Sequence, residues 1–224
     1  MVRFRLTLFL FTWLLNFTAL SQIKNERWSI SGELILPSGT LSKPYKNYLN
    51  GLVYVRPTIQ YRLPSNVFFG IAPRYSYYTI AEYKVPEKMT GGMHTIGGDI
   101  ELGYVYKASE RWSIQFSSRI GYGTQLYRTD STRANQIKPS SSGVILEPIV
   151  SFILASDEAV CYRWIFGYSF SNNSFSPDKL GMDNFGGFTL SDFKGPQQSI
   201  LVGFGISYFF GNERMDTELD EDWE

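Results

Sequence analysis

Bulky apolar residues alternate with small or polar ones along most of the chain, with the period of two that places successive side chains on opposite faces of a β-strand. Four segments show it most clearly. In the first, Val55, Pro57, Ile59, Tyr61 and Leu63 share one face, and Arg56, Thr58, Gln60 and Arg62 the other. In the second, Trp112, Ile114, Phe116, Ile120 and Tyr122 oppose Ser113, Gln115, Ser117, Arg119 and Gly121. In the third, Tyr162, Trp164, Phe166, Tyr168 and Phe170 oppose Cys161, Arg163, Gly167 and Ser169. In the fourth, Ile200, Val202, Phe204, Ile206, Tyr208 and Phe210 oppose Ser199, Gly203, Gly205 and Ser207.

Extended over the chain, the pattern predicts eight strands, approximately Trp28–Leu36, Leu52–Leu63, Val67–Tyr83, Thr95–Lys107, Trp112–Arg128, Val144–Ala155, Val160–Ser171 and Ser199–Phe210. Each reaches the roughly 9–11 residues that a strand needs to cross a bilayer. The connections alternate in length. Pro64–Asn66, Ser109–Arg111 and Ser156–Ala159 are tight turns, whereas 37–51, 84–94, 129–143 and 172–198 are longer and polar. Short turns on the periplasmic side and long loops outside are the outer-membrane arrangement. They predict a periplasmic N-terminus, a rising first strand and a descending eighth.

Composition separates this reading from a soluble sandwich, whose bulky face would point into a core. Aromatic residues make up 17% of the chain and charged ones only 19%, below the quarter or so usual in soluble domains. A wall of Trp, Tyr and Phe suits lipid and its interfacial girdles. Lipid offers no hydrogen bonds, so the sheet must close on itself. The expected fold is therefore all-β: a transmembrane antiparallel up-and-down barrel of about eight strands in a Gram-negative outer membrane. Pro57, Pro73 and Pro148 fall inside predicted strands, where each removes a ladder donor.

The ends of the chain differ from the middle. Arg3 and Arg5 precede an apolar run from Leu6 to Leu20, and Ala19-Leu20-Ser21 offers small residues for cleavage. Residues 1–21 are expected to be a signal peptide, removed before Gln22, and 22–211 the barrel. Residues 212–224 contain Glu213, Asp216, Glu218, Asp220, Glu221, Asp222 and Glu224, an acidic periplasmic tail. Lys+Arg and Asp+Glu balance at 21 each, which gives no basic stripe for nucleic acid. Cys161 is the one cysteine, so no internal disulfide is available.

This arrangement resembles the small outer-membrane barrel superfamily, the OmpA/OmpX-like proteins, over roughly residues 28–211. Gly205-Ile206-Ser207-Tyr208-Phe209-Phe210 looks like the aromatic-ended final strand read by the barrel insertion machinery, with Gly205, Tyr208 and Phe210 as the signal. The resemblance implies outer-membrane lipid and lipopolysaccharide as surroundings, the insertion machinery as a partner, and a surface or periplasmic protein as a further one.

Eight strands leave a lumen just wide enough for side chains to fill. Arg56, Arg74 and Arg119, with Asp99, Glu101 and Glu147, fall near mid-strand on the small-residue face. Unpaired charges there are costly, so these six are expected to form a lumenal Arg–carboxylate network that plugs the barrel. A polar conduit for small solutes is the alternative.

Catalytic signals are sparse. Ser169-Phe170-Ser171-Asn172-Asn173, followed by Pro177, Gly181 and Asp183, looks faintly like a segment of the outer-membrane lipid A deacylases. Ser171 matches the nucleophile and Asp183 the acidic residue, but Ser169 stands where the histidine belongs. A serine without a base is a weak nucleophile, and His94, the one histidine, would have to replace it from another strand. No cofactor motif or clustered transition-metal ligand set occurs. The expected function is non-enzymatic: a structural or interaction role carried by the outer loops and the tail. In the longest loop, Phe175, Phe185, Phe188 and Phe193 either bind a partner or pack over the barrel mouth.

Overall fold

A computed structural model of the chain describes residues 27–38, 43–85, 89–109, 111–156, 159–173, 175–182 and 196–210. The expected leader and acidic tail lie outside them. Eight strands, β1 (Trp28–Ser38), β2 (Leu49–Arg62), β3 (Val67–Ile80), β4 (Gly91–Lys107), β5 (Trp112–Thr129), β6 (Ser140–Ala155), β7 (Val160–Ser171) and β8 (Gln197–Phe210), close into one antiparallel barrel in sequence order. β1 pairs with both β2 and β8, so the sheet has no free edge.

The strands run further at the long-loop end than the alternation predicts. Ser140–Gly143, with no bulky residue to mark a face, still pairs with β5. Conversely, β3 stops at Ile80 rather than Tyr83, because Lys84 N–H turns back to the Ala81 carbonyl at 2.8 Å. At the short end, Pro64 presets the turn between β2 and β3, and Asn66 takes a left-handed φ of 61°. Asn66 N–H donates to the Leu63 carbonyl at 3.0 Å and Leu63 N–H to that of Val67 at 2.8 Å, the geometry of a three-residue hairpin loop.

The prolines interrupt the ladder where their chemistry requires. The Leu63–Val67 bond sets which cross-strand pairs of β2 and β3 exchange hydrogen bonds, namely every second one. Pro57 and Pro73 face each other at such a position. Neither can donate, and pairing is absent between Val55–Tyr75 and Ile59–Ile71. On β6, Pro148 likewise occupies a bonding position, and pairing with β7 lapses between Leu146–Phe170 and Ile149–Gly167.

The exterior is apolar. Ile71, Ile100, Leu102 and Ile120 are each at least half exposed, which in water would be a severe liability and in lipid is the required surface. Near the short turns, Trp28, Tyr61 and Phe69 pack in series as tilted rings, with centroids 4.8 and 5.4 Å apart. Trp112 stacks on Trp164 at 5.7 Å. These form an interfacial girdle. The molecule is thus a transmembrane β-barrel of the outer-membrane type.

Restoring a ladder donor is expected to tighten the β2–β3 seam. Pro57→Val should raise the urea midpoint for unfolding from micelles by an amount equivalent to about 0.5–1.5 kcal/mol, the net value of one hydrogen bond. An unchanged or lowered midpoint would show that the missing rung costs nothing.

Candidate functional site: the lumenal charge layer and the outer cap

Alternation sends Ser29, Ser31, Glu33 and Ile35 of β1 inward, and every other strand except β8 also contributes at least one buried charge. The predicted Arg56, Arg74, Arg119, Asp99, Glu101 and Glu147 all project into the lumen and are buried. Two further charges join them, Glu33 and Arg163. Both were readable in principle. Glu33 shares the small, polar face of β1 with Ser29 and Ser31, and Arg163 lies opposite the aromatic face of β7.

The charges divide into two groups. In the inner group, on the periplasmic side, Arg56 reaches Asp99 at 2.5 Å, Glu101 at 3.0 Å and Glu33 at 3.4 Å. Arg119 reaches Glu33 at 2.8 Å and Glu101 at 3.2 Å. Gln60 and Ser117 also donate to Glu101, at 3.1 and 2.7 Å. Arg163 is more weakly matched, 3.7 Å from Glu33. On the outer side of this group lies an apolar layer of Ile35, Tyr54, Ile149, Ile165 and Leu201. The second group sits beyond it: Glu147 accepts from Arg74 at 2.9 Å, Ser169 at 2.8 Å and Tyr54 at 3.1 Å. The Arg74 guanidinium lies 4.6 Å from the centre of the Tyr54 ring, a cation–π contact. Three arginines meet three carboxylates in the first group and one meets one in the second, so the described lumen is electrically balanced.

The outer mouth is closed by a separate apolar cap. Helix α1 (Lys43–Tyr48), helix α2 (Asp130–Ala134) and a 3-10 turn (Pro177–Leu180) lie across it. Tyr45, Tyr48, Met93, Tyr127, Phe175 and Met182 pack there, all buried. Phe175 stands 4.6 Å from Tyr45 and 6.2 Å from both Tyr48 and Tyr127, between ring centres. Thr129 caps α2 through the Thr132 N–H at 3.1 Å, and its hydroxyl donates to the Leu180 carbonyl at 2.7 Å. Ser131 donates to the Gly181 carbonyl at 2.9 Å. One loop thus fastens another. Burial holds the Tyr45 phenol neutral well above its ordinary range, and burial lowers the Lys179 ammonium, against the pull of Asp178. Of the four loop phenylalanines, Phe175 packs over the mouth; Phe185, Phe188 and Phe193 lie outside the described residues.

The deacylase-like residues do not assemble. Ser169 is held by Glu147, and Ser171 Oγ accepts from the Asn173 N–H at 3.2 Å inside the wall. His94 lies outside it, where Nδ1 and the Tyr75 hydroxyl are 2.9 Å apart. β5 and β6 separate the two strands, so His94 cannot act as base for Ser171. Asp183 lies outside the described residues. Among the described residues no group of three His, Cys, Asp or Glu is placed to hold a metal. Cys161 faces the lumen and is buried. In β8, Gly205 sits across from Glu33, Tyr208 is exposed on the wall, and Phe210 ends the ladder opposite Trp28.

No family model and no curated protein sequence matches the chain. Among solved structures, it is similar to Neisserial surface protein A, at 13% identity over 82% of this chain and 97% of that one, with a TM-score of 0.48. It is similar to the attachment invasion locus protein Ail of Yersinia pestis, at 12% identity over 82% and 98%, with a TM-score of 0.44. It is also similar to the outer membrane protein OprG of Pseudomonas aeruginosa, at 12% identity over 84% and 99%, with a TM-score of 0.47.

Glu33 touches three arginines, so its removal strands buried positive charge. Glu33→Gln is expected to cost about 3–5 kcal/mol in urea unfolding from micelles. Replacing Arg74 and Glu147 together with Met and Leu removes a whole pair and should cost much less; an equal loss for both variants would sink this account.

Proposed function

We propose that the protein is a closed, non-conducting barrel of the outer membrane, acting without catalysis as a structural element or interaction platform. The observation that carries this reading is the blocking of the lumen at two heights by unrelated means. Ionic layers fill its interior, and the aromatic cap around Phe175 covers its outer mouth. An eight-stranded bore has little width to spare for a conduit past either. Contacts with other molecules then fall to the outer loops and to the acidic segment 212–224. In this reading the leader 1–21 is removed on export, Gly205, Tyr208 and Phe210 present the last strand to the insertion machinery, and lipopolysaccharide surrounds the outer half of the wall.

Three measurements test it. In planar bilayers the full-length protein should give no steady openings, and Phe175→Ala, which vacates the centre of the cap, should still give none, because the ionic layers remain. Stable large-conductance openings of the wild type would end the proposal. Deleting 176–195 should abolish recovery of any crosslinked surface partner while leaving heat-modifiable gel mobility intact; unchanged recovery would move the interaction away from that loop. Intact-mass measurement of the membrane-extracted protein should find Gln22 as its first residue.

A further inference from the structure

The outer half of the lipid-facing wall carries almost no charge. Among the described outward strand positions there, Arg128 of β5 is the sole Lys, Arg, Asp or Glu. It has a neighbour of the same sign. Tyr127 N–H donates to the Pro139 carbonyl at 3.2 Å, one step beyond the Leu126–Ser140 pair, so the next residues across the β5–β6 ladder are Arg128 and Lys138. Both are exposed, and the buried Tyr127 and Thr129 on either side fix Arg128 outward. The loop joining the two carries Arg133, also exposed. Like charges directly opposite one another destabilise a ladder. None of the three cations is paired with a carboxylate among the described residues. Asp130, the nearest carboxylate along the chain, is bound instead by the N–H and hydroxyl of Thr90.

Below this pair the wall changes in layers. Thr124 and Ser142 face outward, with their hydroxyls 2.9 Å apart. Tyr122 and Val144 follow, then Ile120 and Leu146, all exposed. Sixteen positions of β5 separate Trp112, in the lower girdle, from Arg128. At about 3.3 Å each and a tilt of about 40°, they rise roughly 40 Å. The apolar band of such a wall is only about 25 Å tall. Arg128 and Lys138 therefore stand above the acyl chains, at the level of the headgroups, with the paired hydroxyls nearer the boundary. In the outer leaflet those headgroups are phosphorylated sugars. An arginine fork matches phosphate through two parallel hydrogen bonds, and a lysine adds a compact charge. The hydroxyls of Thr124 and Ser142 suit the amide and ester groups that join acyl chain to sugar.

We infer that Arg128 and Lys138, with Arg133 from the loop between them, bind the phosphate of a lipopolysaccharide molecule docked on the β5–β6 face. Its acyl chains run down the wall past Tyr122 and Val144. The phosphate relieves the repulsion between two cations that the chain places side by side. Inorganic phosphate has the same charge but lacks the anchored chains, so the site takes the lipid and not the free ion. This inference rests on the outer-membrane reading above, with the long loops outward, and gives that reading one defined lipid contact.

The test uses the full-length protein in zwitterionic micelles and reads the thermal midpoint of the gel-mobility transition. Bis-phosphorylated lipid A should raise the midpoint saturably, as expected when a ligand binds only the folded state. The same lipid A stripped of its phosphates, and inorganic phosphate at equal concentration, should leave the midpoint where it was. Arg128→Gln combined with Lys138→Gln should raise half-saturation by about tenfold or more, the loss expected for a charge-assisted contact. Without lipid A, the midpoint of this double variant should match or exceed that of the wild type, because the repulsion is gone. Lys107→Gln, an exposed change at the periplasmic end of β4, should respond like the wild type. An equal response by the double variant, to dephosphorylated lipid A or to inorganic phosphate would overturn the site, as would a double variant less stable than the wild type without lipid. Steady openings in planar bilayers would end the closed-barrel reading and leave this site standing, whereas a midpoint indifferent to lipid A would remove the site and leave that reading intact.

Discussion

Inside hydrocarbon the backbone has nothing to bond with but itself, and the rest of this structure follows from that constraint. It forces the sheet to close, which fixes an inside and an outside. The period of two then sorts every side chain between them. Ile100 faces lipid because Asp99 and Glu101 face the lumen, and a one-residue slip would exchange them. The charges and the wall are therefore a single design. The lipid-facing residues need no packing partner, while the inward ones have to satisfy one another completely in a narrow bore.

The prolines show how closely the two requirements sit together. Pro57 follows Arg56, Pro73 precedes Arg74 and Pro148 follows Glu147. Each ladder gap thus adjoins a lumenal charge. At these points backbone pairing is locally weakest and cross-lumen bonding is strong. Arg56 ties β2 to β4 and β1, and Arg74 ties β3 to β6. Side-chain bonds across the bore support seams that the main chain leaves incomplete.

Much of the wall was legible in the sequence, because alternation with aromatic residues is a strong signal over a dozen positions. Where bulky residues thin out, as at Ser140–Gly143, the signal fades although the pairing continues, so alternation alone starts β6 too late. The inward placement of Arg56, Asp99 and Glu147 could be read from parity. Which of them meet could not, because partners such as Arg74 and Glu147 lie 73 positions apart and depend on strand tilt. The cap was the least legible part. α1 and α2 are six- and five-residue helices, too short to show a helical period, and the sequence leaves Phe175 between binding a partner and packing over the mouth.

The last strand has an unusual economy. Its inward positions include Leu201, Gly203, Gly205 and Ser207 and carry no charge, whereas each of the other seven strands brings at least one. Gly205 also leaves room for Glu33, since a methyl group there would come within 3.3 Å of its side chain. All the ionic partners are thus present once β1 to β7 have curled together. Closing the barrel along β8 therefore dehydrates no charge carried by that strand, and it lays a smooth, slender surface over the ion pairs of the others, with the Ser207 hydroxyl as a partner for Arg163.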